Sequence, residues 1–371
     1  MPSTGTAPTA PGTALPVPAP TGTSPVVAAP TAATGAETNK APVASGIKVP
    51  AGFGAFVYFQ GLQNPTSLAF GPDGRLYIAE QSGRILSLER QNGQGSNVRE
   101  AAQGGSGTMG IAFRPGTRDL YISSTGQVLV AYGADGGSFS DPRVIVKDLP
   151  TGRHQNDEIA FTLDGKSFYL GVGSTCDACK ETNPRSASIL HISADGASQV
   201  VYAHGTRNPF GVAVHPETGE LFATDNGRDV PLTGVPDELN VIVQGGNYGW
   251  PDCWGNGKGT NCQGTVPPVA EFQEHSSADG FAFYTGASFP AEYRGNVFVA
   301  EWGGNVPVPT IGKRVERVVL KQANGKWQGE VTVFATGFDH PLSVAVGPQD
   351  GALYVADHGS GTIYRIVFAG Q

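Results

Sequence analysis

Six copies of one short pattern run through the chain and constrain its fold more than any other feature. Each copy reads as an apolar-Ala-apolar segment, a turn containing Gly, Pro or Asp, and a second apolar segment. The copies lie at 65–80, 109–124, 156–172, 209–225, 280–301 and 341–357. Their aligned alanines are Ala69, Ala112, Ala160, Ala213, Ala282 and Ala345. Two short apolar segments joined by such a turn are typical of a β-hairpin.

Repeats of this size cannot bury an apolar face alone, so they favour a toroidal array in which each unit packs on its neighbours. From residue 46 onward each repeat has about 54 residues, enough for a four-stranded blade and its loops. We therefore predict an all-β, six-bladed β-propeller over residues 46–371, in which the segment 54–59 completes the last blade and closes the ring. The fourth and fifth spacings are longer, and such insertions usually build the functional face.

The first 45 residues differ in composition from the rest of the chain. They contain 9 Thr, 11 Ala and 9 Pro, with no aromatic residue and only Glu37 and Lys40 as charges. A segment of this kind buries too little apolar surface to offset its ordering entropy. We predict a disordered linker over residues 1–45, which is either an inert terminus or a tether of an exported domain to a cell surface.

Composition excludes several other classes of protein. The chain has 53 Gly and 28 Pro among 371 residues, which argues against long uninterrupted helices. No window approaches 18 consecutive apolar residues, so no membrane span is predicted, and no signal peptide is visible at the start. The formal charge of −8 argues against nucleic-acid binding, which needs a basic face.

Four cysteines form two local pairs, Cys176 with Cys179 and Cys253 with Cys262. A zinc ribbon would need a shorter second spacing, and a redox CxxC motif would need a βαβ context. Local disulfides that hold long loops are the interpretation we favour. They indicate an oxidising compartment, periplasmic or at the cell surface, and therefore export.

The loop 151–157 is a candidate for proton chemistry. It places Arg153, His154, Asn156 and Asp157 just before the third hairpin. A carboxylate two or three positions away can orient an imidazole that titrates near neutral pH, which makes His154 a candidate base. An ordinary surface histidine remains the alternative.

The loops that follow suit an anionic ligand and a cation. Arg207 and Asn208 precede the fourth hairpin, where they fit a planar ligand that carries several carboxylates, although Asn-Pro also favours a plain turn. Carboxylates beside Gly turns are typical of calcium ligands, but their spacing is not that of an EF-hand. These carboxylates are Asp225, Asp229, Asp237 and Glu238.

Four loop motifs in one order make the chain resemble a known family. The motifs are GRHQND, GTRNPFGVA, the run DNGRD…DELN, and GGNYGWP. On a six-bladed ring they resemble the soluble quinoprotein sugar dehydrogenases, which use pyrroloquinoline quinone (PQQ) and include glucose, aldose sugar and sorbosone dehydrogenase-like proteins. The resemblance spans residues 47–368 and is strongest from 151 to 255.

The resemblance implies oxidation of a sugar hydroxyl or hemiacetal by hydride transfer to PQQ, with calcium on the quinone oxygens. A quinone, dye or cytochrome outside the protein would take the electrons. His154 matches the general base of the family. Arg207 and Asn208 match its cofactor-binding pair.

The same resemblance implies two calcium sites. Gly227 and Arg228 fall where two consecutive backbone carbonyls bind the cofactor's calcium. Glu238 and the carbonyl of Tyr248 match a second site that holds the GGNYGWP loop.

The cofactor pocket departs from the family pattern. A Gly-rich stretch at 104–110 stands where aldose dehydrogenase relatives carry Gln, Trp302 replaces a cofactor-pairing Lys or Arg, and His340 replaces an Arg. Trp302 fits stacking on the planar quinone. The nearby cations that would replace the lost charge are Lys313, Arg314 and Arg317.

A second class of function stays open at this stage. The propeller could be a non-catalytic carbohydrate-binding module, or a calcium-dependent lactonase that holds an axial metal with several carboxylate and Asn side chains. The sugar and the oligomeric state are not specified by the sequence.

Overall fold

Six four-stranded antiparallel sheets make up the fold in the computed structural model, which describes residues 40–133, 138–304 and 311–370. Outside these strands the described regular structure is one small hairpin and a single 3-10 turn, Ala291–Tyr293. The six sheets are numbered as blades 1 to 6 in chain order. The prediction of an all-β, six-bladed β-propeller is confirmed.

The first three blades each use four strands that are consecutive in the chain. Blade 1 consists of β2 (Pro65–Phe70), β3 (Leu76–Glu80), β4 (Arg84–Gln91) and β5 (Gln94–Gln103). Blade 2 consists of β6 (Gly110–Phe113), β7 (Leu120–Ser124), β8 (Gln127–Ala131) and β9 (Arg143–Val146). Blade 3 consists of β10 (Asn156–Phe161), β11 (Ser167–Val172), β12 (Ser188–Ser193) and β13 (Gln199–His204).

The last three blades contain the insertion and the ring closure. Blade 4 consists of β14 (Val212–Val214), β15 (Leu221–Asp225), β16 (Pro236–Ile242) and β19 (Ala270–Glu274), with the small hairpin β17 (Cys253–Trp254) and β18 (Lys258–Gly259) inserted before β19. Blade 5 consists of β20 (Ala278–Phe283), β21 (Val297–Glu301), β22 (Arg314–Ala323) and β23 (Lys326–Thr336). Blade 6 consists of β24 (Pro341–Val346), β25 (Leu353–Asp357), β26 (Thr362–Phe368) and β1 (Phe53–Gln60).

The ring closes as the sequence predicted. β1 pairs antiparallel with β26, from Phe53 opposite Phe368 to Gln60 opposite Thr362. The first strands of the blades, β2, β6, β10, β14, β20 and β24, neighbour one another in a closed circle. The fold is therefore a ring in which the N-terminal strand supplies the outer edge of the last blade.

The repeated alanine has a structural reason. In every blade it lies on the first strand, directly opposite an aromatic residue of the second strand. The pairs are Ala69–Tyr77, Ala112–Tyr121, Ala160–Tyr169, Ala213–Phe222, Ala282–Phe298 and Ala345–Tyr354. A small residue at the crowded inner strand leaves space for the ring opposite, because a packed interior has no room for both to be large.

The ordered chain begins before residue 46. Ala41 and Ala44 are buried, the Ala44 N–H donates to the Ala55 carbonyl, and Val57 donates to the carbonyl of Pro42. The last six residues of the predicted linker thus pack along β1. Residues 1–39 of that linker lie outside the described residues.

Both predicted disulfides are present, Cys176–Cys179 and Cys253–Cys262. None of the helices in the described parts of the chain is long and apolar enough to cross a membrane.

Candidate active site

One face of the propeller collects the loops that carry the candidate residues. The first strand of each blade begins at this face and the second strand ends there, because the two run antiparallel. The loop before β10, the loop after β11, the loop before β14 and the loop after β15 therefore meet. A cavity of about 460 Å³ lies among them.

The cavity wall combines residues from three blades. His154 precedes β10, Arg207 and Asn208 precede β14, and Gly227 follows β15. Blade 5 contributes Trp302, which follows β21. Arg153, Asp229 and Asp237 line it as well, so eight of the residues singled out in the sequence are brought to one cavity although they span about 150 residues of chain.

His154 is half-buried and neutral. Its Nδ1 lies 3.0 Å from the Ser174 hydroxyl oxygen, and its backbone N–H donates to the Ser174 carbonyl. Burial, together with the positive charges of Arg207 and Arg153, lowers the pKa of His154 to about 3. With this pKa the imidazole is unprotonated throughout the neutral range, so one ring nitrogen keeps its lone pair.

The orienting partner of His154 is not the carboxylate expected from the sequence. Asp157 lies on β10, fully buried, and its Oδ2 has no hydrogen-bond partner among the described residues. The nearby charges of Asp279 and Glu158, added to burial, raise its pKa. Asn156 is also structural, since its side-chain amide donates to Ser123 and to two backbone carbonyls of blade 2.

Arg207 is buried and largely engaged. Its Nε and Nη2 donate to Asp177 at 3.1 and 2.9 Å, Nη2 also donates to Asp229 at 2.8 Å, and Nη1 donates to the Asn226 carbonyl at 3.2 Å. Asp229 also pairs with Arg153. One N–H of Nη1 is left over among the described contacts, and a ligand can take it.

Asn208 brings an unpaired acceptor to the same wall. Its Oδ1 is buried without a hydrogen-bond partner in the described parts of the chain. The backbone beneath it is fixed, because the Asn208 N–H donates to Asp225 at 2.7 Å. A buried polar atom without a partner is costly, so a small rotation of this side chain toward the cavity would let the oxygen accept from a donor on a bound molecule.

A second, much smaller cavity of about 20 Å³ shares lining residues with the first. Gly227 and Arg207 line both cavities, and the small one also contacts Asp225, Glu238 and Tyr248. Its volume is close to that of a single water molecule or ion. The sequence-predicted calcium residues are thus brought together, with Asp225 as a further carboxylate.

The two carboxylates of the small cavity face each other across neighbouring strands, since Asp225 on β15 is in register with Glu238 on β16. Burial raises the pKa of Glu238 to about 7. Burial and the charge of Glu238 also raise the pKa of Asp225 well above its usual range. A cation between them would stabilise both ionised carboxylates and so oppose both shifts.

Two other predicted cofactor residues are placed differently. His340 packs against Trp302, with ring centroids 4.1 Å apart and the ring planes tilted by 42°, and it is not among the described residues of the cavity wall. Arg314 begins β22, where its Nε lies 2.8 Å from Glu301 and 2.7 Å from Glu316. These two buried carboxylates hold Arg314, which is not among the described residues of the cavity wall.

The other two nearby cations are engaged in the same way. Arg317 lies over the ring of Tyr293 at 3.9 Å. Lys313 lies 3.5 Å from Asp339. Arg317 is held by a ring and Lys313 by a carboxylate, and neither is among the described residues of the cavity wall, so they do not replace there the charge lost at Trp302.

Some residues of the wall were not found from the sequence. The partners of two wall residues were also missed: Ser174, beside His154, and Asp177, which accepts from Arg207, lie at the Cys176–Cys179 disulfide, and only the cysteines stood out in the sequence. His275 and Ser277 line the cavity from the turn before β20 and both have positive φ, 59° and 54°. Ser is not a residue type typical of that conformation and His is only enriched in it, so the sequence offers no firm sign of this turn.

Comparison with known proteins gives a consistent result. A model of the family "Glucose / Sorbosone dehydrogenase" matches residues 62–365. An aldose sugar dehydrogenase of Escherichia coli is 26% identical over 276 residues, 62% of this chain and 72% of that protein. Quinoprotein glucose dehydrogenase B of Acinetobacter calcoaceticus is 25% identical over 256 residues, 54% of this chain and 52% of its own length.

Solved structures show the same fold. An oxidoreductase of Thermus thermophilus described as a glucose dehydrogenase superposes with a TM-score of 0.68 at 29% identity, covering 84% of this chain and 99% of that one. The PQQ-bound aldose sugar dehydrogenase of Streptomyces coelicolor gives a TM-score of 0.65 at 24% identity, covering 86% and 99%.

Proposed function

The chain belongs to the glucose/sorbosone dehydrogenase family, and on that basis we propose that it is a PQQ- and calcium-dependent dehydrogenase that oxidises a sugar hydroxyl or hemiacetal with His154 as the general base. The observation that carries the proposal is the convergence of a neutral imidazole, a buried guanidinium and an unpaired amide oxygen on one cavity. The fold brings the loops before β10 and β14 to one face, and the residues that these two loops carry supply the chemistry.

The cavity wall fits a planar, polar cofactor. The free Nη1 N–H of Arg207 suits a carboxylate or quinone oxygen, and the Asn208 oxygen suits a donor such as a pyrrole N–H. Trp302 offers a ring for stacking. Arg153 and Arg207 are both paired with Asp229, so the wall itself contributes little net positive charge.

Calcium would supply that missing charge. Gly227 and Arg228 would hold it through their carbonyl oxygens, neither of which accepts a hydrogen bond among the described residues. A second ion would fit the small cavity between Asp225, Glu238 and the carbonyl of Tyr248. Oxygen ligands of this kind are those that calcium prefers.

The chemistry divides between cofactor and chain. Bound PQQ supplies a hydride acceptor whose quinone is made more electron-poor by calcium. His154 takes the proton of the sugar hydroxyl, and its low pKa keeps the imidazole neutral until that moment. Arg207 and Asn208 would orient the cofactor in the cavity beside His154.

Reconstitution tests the proposal directly. Protein mixed with calcium and PQQ is dialysed, and the retained PQQ absorbance is measured, followed by dye reduction with a panel of aldoses. We expect retention near one PQQ per chain and activity that depends on both additions. His154→Ala should keep the PQQ and lose about 10²- to 10⁴-fold in kcat.

His191→Ala is the matched control, because His191 lies on β12, stacked on Tyr169 and hydrogen-bonded to Ser167. It should leave kcat unchanged. Failure to retain PQQ at stoichiometric loading would overturn the oxidoreductase proposal. Lactone hydrolysis without PQQ would favour the alternative hydrolase, although no three His, Asp or Glu side chains converge on one point within the described chain.

We also propose that the protein is exported, to the periplasm or the cell surface, with the N-terminal linker as its tether. Two disulfides in the described chain support an oxidising compartment. An external quinone, dye or cytochrome would accept the electrons.

A further inference from the structure

The loop closed by the Cys176–Cys179 disulfide contacts both functional side chains of the cavity. Ser174 lies next to His154, and Asp177, between the two cysteines, holds Arg207. The base of the loop is tied by Thr175, whose N–H and hydroxyl both donate to Glu181. We call residues 174–181 the cysteine loop.

The cysteine loop determines which nitrogen of His154 carries the proton. The Ser174 hydroxyl is fully buried and donates its one proton to the Cys176 carbonyl at 2.6 Å. At 3.0 Å from His154 Nδ1, the same oxygen can only accept. Nδ1 must therefore carry the hydrogen, which leaves the Nε2 lone pair for a substrate proton.

The same loop fixes Arg207. Asp177 accepts from Nε and Nη2 of the guanidinium and from the backbone N–H of Asp229. The Asp177 carbonyl accepts from the Trp250 indole at 2.9 Å. The backbone also joins the two residues, because the Ser174 N–H donates to the Arg207 carbonyl at 2.7 Å.

We propose that the cysteine loop is a positioning element in which Ser174 fixes the Nδ1–H tautomer of His154, Asp177 fixes the Arg207 guanidinium, and the disulfide keeps the two in register. A neutral hydroxyl performs here the orienting task that a carboxylate was expected to perform. The inference deepens the proposed function and rests on it for its catalytic meaning, but the tautomer itself is a property of the cofactor-free protein.

Nitrogen-15 NMR of the histidine rings measures that tautomer at pH 7 in protein without cofactor, with His154→Ala to assign the signal. We expect wild type to show Nδ1–H. Ser174→Ala should move the signal to the Nε2–H form or to a mixture. Ser186→Ala is the matched control, since the buried Ser186 hydroxyl donates to the Gly173 carbonyl and does not touch the imidazole.

Steady-state kinetics provide a second, independent measurement. We expect Ser174→Ala to lower kcat about tenfold or more with little change in KM, while Ser186→Ala keeps wild-type kcat. Ser174→Thr, which retains a hydroxyl, should recover the Nδ1–H signal and most of the rate. An unchanged tautomer in Ser174→Ala would overturn the proposal even if PQQ binds and the enzyme is active.

The disulfide is tested with Cys176→Ser/Cys179→Ser. We expect a mixed tautomer signal and a PQQ dissociation constant about tenfold higher, because Asp177 would no longer hold Arg207 firmly. Cys253→Ser/Cys262→Ser should leave the His154 signal unchanged. A wild-type signal in the first variant would show that the disulfide is not part of the element. If no variant or wild type binds PQQ, the NMR result still decides the tautomer, and only the proposed function fails.

Discussion

At the scale of single residues, the surroundings of His154 stabilise its neutral form and therefore couple its titration to folding. The unfolded chain binds a proton at this histidine near pH 6.5, whereas the folded protein does so only near pH 3. Below pH 6.5 the unfolded state thus holds more protons than the folded state. The free energy of unfolding contributed by His154 is full above this pH and falls as the pH drops toward 3.

This coupling gives a measurable prediction. Between pH 7 and pH 4 the wild-type protein should lose about 3 kcal/mol of stability through His154 alone. Urea denaturation of cofactor-free wild type and His154→Ala at both pH values isolates the contribution of His154 to the free energy of unfolding, since the titrating carboxyls are common to both proteins. We expect the variant to be about 3 kcal/mol less pH-sensitive over this interval. Equal pH dependence would contradict the burial argument.

At the scale of elements, neighbouring strands of blade 4 build the small cavity. The register of β15 with β16 puts Asp225 opposite Glu238, and the GGNYGWP loop after β16 adds Tyr248. Two buried carboxyls so placed repel each other when ionised. The raised pKa of each shows that the site favours a proton or a cation.

Calcium should therefore stabilise the folded chain. At calcium 100-fold above its dissociation constant we expect about 2.7 kcal/mol of extra stability, seen as a rise of several degrees in the melting temperature that a chelator reverses. Glu238→Gln should abolish this calcium-dependent rise. Glu100→Gln, on the exposed strand β5, should retain it. A melting temperature that changes with neither calcium nor chelator would count against Glu238 and Tyr248 as ligands.

The elements also show how far sequence reasoning reaches. The repeat placed all six hairpins, because the small-residue requirement opposite an aromatic ring recurs in every blade. The motifs placed His154, Arg207 and Asn208 at one cavity, because loops that enter and leave corresponding strands share a face. Ser174 was not recognised as the partner of His154, since the 19 residues between them form the hairpin of β10 and β11. Arg314 was predicted to replace a lost charge of the cofactor pocket. The sequence does not show that Glu301 on β21 and Glu316 on β22 are its buried partners.

At the scale of the whole molecule, the ring depends on the pairing of its two chain ends. β1 covers the edge of β26, and Phe53 at its start packs edge-on against Phe289, Phe334 and Phe368. Ala55 and Tyr58, on the same strand, are also buried. An uncovered β26 would expose both this apolar surface and a row of unpaired backbone groups.

Removal of β1 should therefore lower the stability of the folded chain far more than the length of this strand suggests. Each large side chain that β1 buries contributes about 1.5–3 kcal/mol, against a total stability of about 5–15 kcal/mol for a typical domain. We expect a chain starting at residue 62 to aggregate or to lack a cooperative thermal transition. A chain starting at residue 40 is the matched control, because it keeps every described contact of β1, and should melt within about 2 °C of wild type.

A permutant that carries residues 46–61 after residue 371 through a short linker should recover the transition, since Phe53 lies beside Phe368 at the end of β26. If the chain starting at residue 62 melts like wild type, the ring is held by its inner strands and not by this closure.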